Sequence, residues 1–188
     1  LEQLSRVCHK HNIPLYIDGA RMAYGLNAEG VDFTLRDIAR LADVFYIGGT
    51  KCGTLFGEAL VVTNRALLKH LFPLVKQHGA LLAKGRLLGV QFGELFRDGL
   101  YEQLGERAVG LALRLSKALC DAGDSRVIDS PTNQQFFTLP NDLIDRLREH
   151  ISFDYWGPRG ERESVVRFVT SWATTEEDIS IFEKLIYR

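Results

Sequence analysis

The 188 residues are 46% hydrophobic and 25% charged, the composition of an ordinary globular chain with room for one domain or one and a fraction. A net charge of −1 leaves no polybasic surface of the kind that binds nucleic acid or an anionic membrane. No apolar run approaches the roughly 20 residues that cross a bilayer, and charges interrupt residues 1–11, so no signal peptide is expected. Three widely spaced cysteines, Cys8, Cys52 and Cys120, make neither a disulfide framework nor a metal pair and point to a reducing cytoplasm.

The chain opens without a methionine, already inside a helical pattern of Leu1, Leu4, Val7, Cys8 and His11. This predicts a helix, and a chain that begins in the middle of a domain. Asn12 and Pro14 supply a stop. Leu15, Tyr16 and Ile17 read as a short buried strand ending at Asp18. Thr34, with Asp37 three residues on, caps a second helix whose apolar face is Leu35, Ile38, Ala39, Leu41 and Ala42. A strand over 44–47 runs into Gly48-Gly49-Thr50-Lys51, and another over 59–63 follows Gly57. Strand, helix, strand in this order predicts part of an α/β sheet with parallel members.

Asn64 caps a predicted helix carrying Leu67, Leu68, Leu71 and Val75, and helical patterns follow over 81–96 and 100–122. The character changes at Gly123. Strands are predicted over 126–129, 135–139 and 165–170, with a helix over 143–150 between them. The run Phe153-Asp154-Tyr155-Trp156 reads as packing. Thr175, with Asp178 at the third position, caps a last helix through Ile186. These elements predict a small α+β domain, and we expect units at 1–110 and 111–188, the boundary falling inside the long helix.

Two segments carry chemistry. A carboxylate at the C-terminal end of a buried strand, Asp18 in Ile17-Asp18-Gly19-Ala20-Arg21, sits where α/β sheets place ligands; taken singly it is also what an ordinary helix cap looks like. Lys51 follows a second strand and two glycines that let a ligand approach the backbone, and the Thr50 hydroxyl is suited to a phosphate oxygen; taken singly, this is also a solvated lysine after a turn. It is not a phosphate-binding P-loop, because GxxxxGK[ST] is absent. Together, 33 residues apart at the ends of consecutive strands, Asp18 and Lys51 are expected on one edge of the sheet. That pair suits pyridoxal phosphate (PLP). A lysine amine forms an imine with the aldehyde, and a carboxylate keeps the pyridine nitrogen protonated so that the ring accepts electrons. The five histidines are scattered without HExxH or paired-ligand spacing, so no metal is expected. Cys52 is read as packing and Glu58 as structural.

The block Leu15-Tyr16-Ile17-Asp18-Gly19-Ala20-Arg21 resembles the Asp-Gly-Ala-Arg block of the low-specificity threonine aldolases and related β-eliminating lyases. Phe45-Tyr46-Ile47-Gly48-Gly49-Thr50-Lys51-Cys52-Gly53 resembles their Schiff-base block, with Thr50 where many members have serine. Gly85-Arg86-Leu87-Leu88-Gly89 and Val166-Arg167-Phe168-Val169-Thr170 are similar to two later blocks, in the family's order. The resemblance covers nearly the whole chain. It implies the fold-type-I PLP transferase-like α/β architecture: the second half of the large-domain mixed sheet plus a small C-terminal α+β domain.

It further implies that Lys51 carries PLP, Asp18 pairs with the pyridine nitrogen, and Arg21 sits by the ring hydroxyl and the substrate carboxylate. Arg86, with Lys84 as a neighbour, would reach phosphate in the adjoining subunit's site of a homo-oligomer, and Arg167 would clamp the substrate carboxylate. The implied reaction is cleavage of a β-hydroxy-α-amino acid to glycine and an aldehyde. A β-eliminating lyase or another fold-type-I amino-acid enzyme shares the same residues, and a non-catalytic fragment serving dimerisation or packing is the reading outside enzymes. The family's Gly-Thr phosphate loop and ring-stacking residue do not precede Asp18, so about half of an enzyme is expected here, with an N-terminal segment as its missing partner.

Overall fold

The computed structural model describes residues 1–187, and the chain divides into two compact units. The first comprises residues 1–26 and 31–102, the second residues 27–30 and those from 103 onward.

The first unit begins with α1 (Glu2–Lys10), β1 (Tyr16–Ile17), α2 (Met22–Leu26), α3 (Leu35–Leu41) and β2 (Val44–Gly48). A 3-10 turn, Thr50–Cys52, leads to β3 (Glu58–Val62). The sheet order is β1-β2-β3, with β1 parallel and β3 antiparallel to β2. The parallel pair is joined through helices, as a parallel crossover requires, whereas β3 turns straight back. The predicted cap of α3 is present: the Asp37 carboxylate accepts from the Thr34 backbone N–H at 2.9 Å while the Asp37 N–H donates to the Thr34 hydroxyl. The apolar stripe of α1 behaves differently. Leu4 and Val7 are more than half exposed, and the buried residue is Ser5, whose hydroxyl donates to the Leu41 carbonyl at 2.7 Å.

The helix predicted from Asn64 is two elements, a 3-10 turn Arg65–Leu68 and α4 (Leu71–Gln77). His70 breaks it with φ of 64°, a left-handed conformation that cannot continue a helix. The pattern over 81–96 forms helix only as α5 (Arg86–Leu95). A final 3-10 turn, Arg97–Gly99, precedes α6 (Leu100–Asp121), which continues into the second unit. Among the described residues no helix is long and apolar enough to cross a membrane.

One buried carboxylate ties the first unit together. Asp43 is 8% exposed, accepts from the Leu15 N–H at 2.7 Å and the Asn64 amide at 2.8 Å, and lies 3.4 Å from His9 Nε2. The Leu15 N–H, then Asn64, and to a lesser degree His9, hold its carboxyl below the ordinary value of 3.8 against the opposing effect of burial. A lowered pKa means stability that is fully present above the unfolded-state value and lost as pH falls through the folded one. Asp43→Ala should therefore cost about 1–3 kcal/mol at neutral pH, because buried donors lose their acceptor. In chemical denaturation the gap to wild type should persist down to about pH 4 and close below it; a gap that already closes between about pH 7 and pH 5 would contradict this role.

In the second unit, β4 (Ser125–Ile128), β5 (Gln134–Pro140), α7 (Asn141–Arg148), β6 (Asp154–Pro158), β7 (Glu163–Val169) and α8 (Glu176–Ile186) follow α6. The sheet is antiparallel, in the order β4-β5-β7-β6. Its inward residues Phe137, Leu139, Val166 and Phe168 join Leu111, Leu115 and Leu119 of α6 and Ile179 and Phe182 of α8 in one core. Arg114 clamps α8 to α6 with two parallel bonds to Glu183, at 2.8 and 2.6 Å. The Thr175–Asp178 capping box forms as expected. Of the run 153–156, read as packing, Phe153 does pack against the core, beside Phe168, whereas Asp154 begins an edge strand with Tyr155 48% and Trp156 60% exposed. Its aromatic residues suit a pleated, half-open surface as well as a core.

Candidate active site

Parallel pairing of β1 with β2, in the register Ile17↔Phe45, sets Asp18, just past the C-terminal end of β1, beside Tyr46 in the middle of β2. Lys51 follows in the 3-10 turn, close enough that its charge acts on Asp18. The structure thus puts the two residues on one sheet edge. Asp18, Thr50 and Lys51 are exposed and Arg21, at the start of α2, is half-buried.

The two loops touch at their backbones. Gly48 donates its N–H to the Gly19 carbonyl at 2.9 Å. A Cβ at Gly19 would lie 1.7 Å from the Tyr46 carbonyl oxygen, and one at Gly48 would lie 2.3 Å from the Ala20 carbonyl oxygen. Only glycine permits this approach.

Asp18 is held by two donors on a single oxygen, Oδ1: the Tyr46 hydroxyl and the Ala20 N–H at 3.0 Å. These two, chiefly the tyrosine, keep its carboxyl below the usual range despite some desolvation, with Lys51 and Arg21 adding smaller favourable charge effects. The same contact, followed by burial and the nearby negative charge, pushes the Tyr46 phenol up to about 12.

The Lys51 turn is fixed from beneath. The fully buried Tyr24 donates its hydroxyl to the Lys51 carbonyl, and the buried Tyr101 donates to the Gly48 carbonyl at 3.4 Å. Glu58 accepts from the Gly49 N–H at 2.7 Å. Cys52 packs below, 2% exposed, its thiol pushed up to about 11 by burial, which makes it an inert filler. Helix α5 lies against the same turn: Gln91 accepts from the Leu55 N–H at 2.7 Å, and the Phe92 ring reaches Gly49. Arg86 opens that helix, exposed and without a hydrogen bond or ion pair among the described residues.

Arg167 belongs to the second unit. Alternation along β7 places it opposite the buried Val166 and Phe168, on the open face. Its guanidinium is already paired within the unit. The register Asp154↔Arg167 across β6 and β7 brings a carboxylate to it, with the guanidinium Nε donating to Asp154 at 2.8 Å and Nη1 to Gln134 at 3.0 Å. Trp156 lies under it at 5.6 Å. The partner was missed because the edge strand that carries it was not recognised.

Sequence reasoning also missed Tyr24, Tyr46 and Tyr101, and gave Glu58 no specific partner. The only signal available for Tyr46 was its place two residues before the glycine pair, on the strand that leads to Lys51.

A family model described as beta-eliminating lyase matches residues 1–139. The chain belongs to the β-eliminating lyase family. It is 28% identical over 180 residues to the low specificity L-threonine aldolase of Pseudomonas aeruginosa, covering 95% of this chain and 51% of that protein. A Pseudomonas sp. low specificity L-threonine aldolase is also 28% identical, over 179 residues. The structure of Leishmania major threonine aldolase superposes with a TM-score of 0.96 at 41% identity, over 100% of this chain and 55% of that one. A Sphingomonas wittichii serine palmitoyltransferase, at 13% identity and a TM-score of 0.69, shares the fold alone. The chain spans about half the length of the curated relatives it matches, and its mixed α/β architecture is that of the fold-type-I PLP enzymes.

The family implies PLP, and the residues present fit it. Asp18 keeps Oδ2 clear of hydrogen bonds from the described residues, at a strand end shared with an exposed lysine on a braced turn.

Proposed function

We propose that this chain supplies the lysine-bearing part of a PLP-dependent aldolase that cleaves threonine-like β-hydroxy-α-amino acids to glycine and an aldehyde. The observation that carries the reading is the placement of Asp18 and Lys51 on adjacent parallel strand ends, in a chain similar over its whole length to threonine aldolases.

When bound, PLP would supply the electron sink for the pair left on Cα as the Cα–Cβ bond breaks. The protein groups do the rest. Lys51 holds the cofactor covalently through its amine. Asp18, a carboxylate kept ionised by its donors, holds the proton on the pyridine nitrogen. Arg21 is assigned to the ring hydroxyl and, with Arg167, to the substrate carboxylate. Thr50 and Arg86 are assigned to phosphate. Exposed Leu87 and Val90 on the helix that Arg86 opens, with Leu55 and Phe72 elsewhere in the unit, support self-association, in which Arg86 would serve a neighbouring subunit's site.

Product analysis on the full-length protein tests the reaction. Glycine and an aldehyde in equal amounts are expected from threonine; a keto acid and ammonia would assign β-elimination instead, as the family's name allows.

Arg167→Ala should lower kcat/KM for amino acids about 30-fold or more, since losing one partner of a close charge pair costs on the order of 2–5 kcal/mol. PLP binding should survive. Three of the five guanidinium N–H donors are engaged by Asp154 and Gln134, which orient the group and leave donors for a ligand. Unchanged kcat/KM in a folded variant would exclude Arg167 and turn attention to Arg21.

A further inference from the structure

We propose that Tyr46 is a positioning residue for Asp18: it occupies one carboxylate oxygen, fixes the plane of the carboxylate, and so presents the other oxygen to the pyridine nitrogen of PLP. The proposal rests on the PLP reading above.

The geometry is specific. Oδ1 accepts from both the Tyr46 hydroxyl and the Ala20 N–H, whereas Oδ2 accepts from none of the described residues. The Ala20 N–H alone is the short local contact of any Asp two residues before a turn, and it is satisfied by either oxygen. It leaves the carboxylate free to rotate. A second donor from a different strand removes that freedom. β2 is a firm base for it, because Phe45 and Ile47 on its opposite face are buried. The phenol ring is flanked by Tyr16 of β1, with centroids 6.3 Å apart. Two paired strands therefore aim the hydroxyl. An apolar ring would fill the half-buried position equally well, so packing gives no reason for a hydroxyl there.

Tyr46 also stays a donor. The Asp18 contact, burial, and the charges of Asp18, Tyr16 and Glu58 all oppose its ionisation, while the charges of Lys51 and Arg21 act on Asp18. With its hydroxyl present, part of the carboxylate charge is neutralised. Without it, two changes act in the same direction on the Lys51–PLP Schiff base. A carboxylate with one donor fewer is more electron-rich, and one that turns away lets the ring nitrogen lose its proton. Each makes the Schiff base more basic.

The test uses full-length protein. Borohydride trapping of PLP on Lys51 in the wild type comes first, and its absence would overturn the PLP reading and the proposal with it. Given trapping, Tyr46→Phe should raise the PLP dissociation constant about tenfold, the scale of a lost hydrogen bond to a charged group. It should also move the spectrophotometric pH midpoint of the Schiff base upward by roughly half a unit or more. In an Asp18→Asn background the same change should have no further effect on PLP affinity, since Tyr46 acts through Asp18. A lower melting temperature with an unmoved midpoint, or equal effects in both backgrounds, would show a merely structural tyrosine. If Tyr46→Phe does not fold, 3-fluorotyrosine at position 46, nearly isosteric and a stronger donor, decides: the midpoint should fall, and no movement overturns the proposal.

Discussion

Lys51→Ala in the full-length protein should abolish the borohydride-trapped PLP adduct and reduce turnover by at least about 10³-fold, the scale on which loss of a covalent group acts. The expectation rests on how the turn is built. Lys51 is exposed, yet the backbone around it is held by side chains, with Tyr24 on its own carbonyl, Tyr101 on that of Gly48 and Glu58 on the Gly49 N–H. Two buried tyrosines and Glu58, committed to the backbone of Gly48, Gly49 and Lys51, suit a lysine whose amine must stay in place. A solvated surface lysine would not need them. The fold should survive the substitution, because the lysine side chain itself packs against nothing that the core requires. The adduct can be located by peptide mapping. Undiminished trapping on another residue, Lys84 beside the Gly85–Gly89 block being the first candidate, would remove Lys51 from the role.

Gly19→Ala should be nearly as damaging by a different route. Its Cβ would sit 1.7 Å from the Tyr46 carbonyl oxygen and 2.7 Å from the Met22 methyl. The methyl can swing aside, but the carbonyl belongs to the central strand of a three-stranded sheet and cannot move alone. The loops must part, and the Gly48 N–H bond to the Gly19 carbonyl is lost with them. Overpacking against backbone costs about 3 kcal/mol or more, a fall of roughly 6–12 °C in melting temperature for a domain of this size. PLP affinity should fall with it, because Asp18 is displaced relative to Lys51. Gly25→Ala is the control: nothing lies within 4 Å of its added methyl group, so melting temperature and PLP affinity should stay near wild type. A Gly19→Ala protein with wild-type melting temperature would mean that the approach of the two loops is looser than described.

The tests of Lys51 and Tyr46 separate two layers of the site. Loss of trapping at Lys51 reports the group that bears the cofactor. A moved Schiff-base midpoint at intact Lys51 reports the group that aims its counter-charge. Arg167 belongs to a third layer, read through kcat/KM with PLP binding intact.

What could be read along the chain was local. Thr34 with Asp37 and Thr175 with Asp178 announce helix starts because the cap bonds join residues three apart. Alternation in 165–170 sets Val166 and Phe168 on the face opposite Arg167 because a strand reverses face at each residue, and the structure buries that face. Asp18 and Lys51 stood out because chemistry limits which side chains can follow a strand and a glycine turn to hold PLP. Tertiary structure decided the interactions between distant residues. Tyr46 and Asp18 are 28 positions apart and meet only through the β1–β2 register. Asp154 reaches Arg167 only because the chain beyond Phe153, which packs on the core, runs on as an edge strand. Ser5 is buried while Leu4 and Val7 are not, because the packing surface offers α1 the Leu41 carbonyl. A residue's own type and near neighbours set its local conformation; its hydrogen-bond partner depends on which strand folds beside it, and that choice is made by the sheet as a whole.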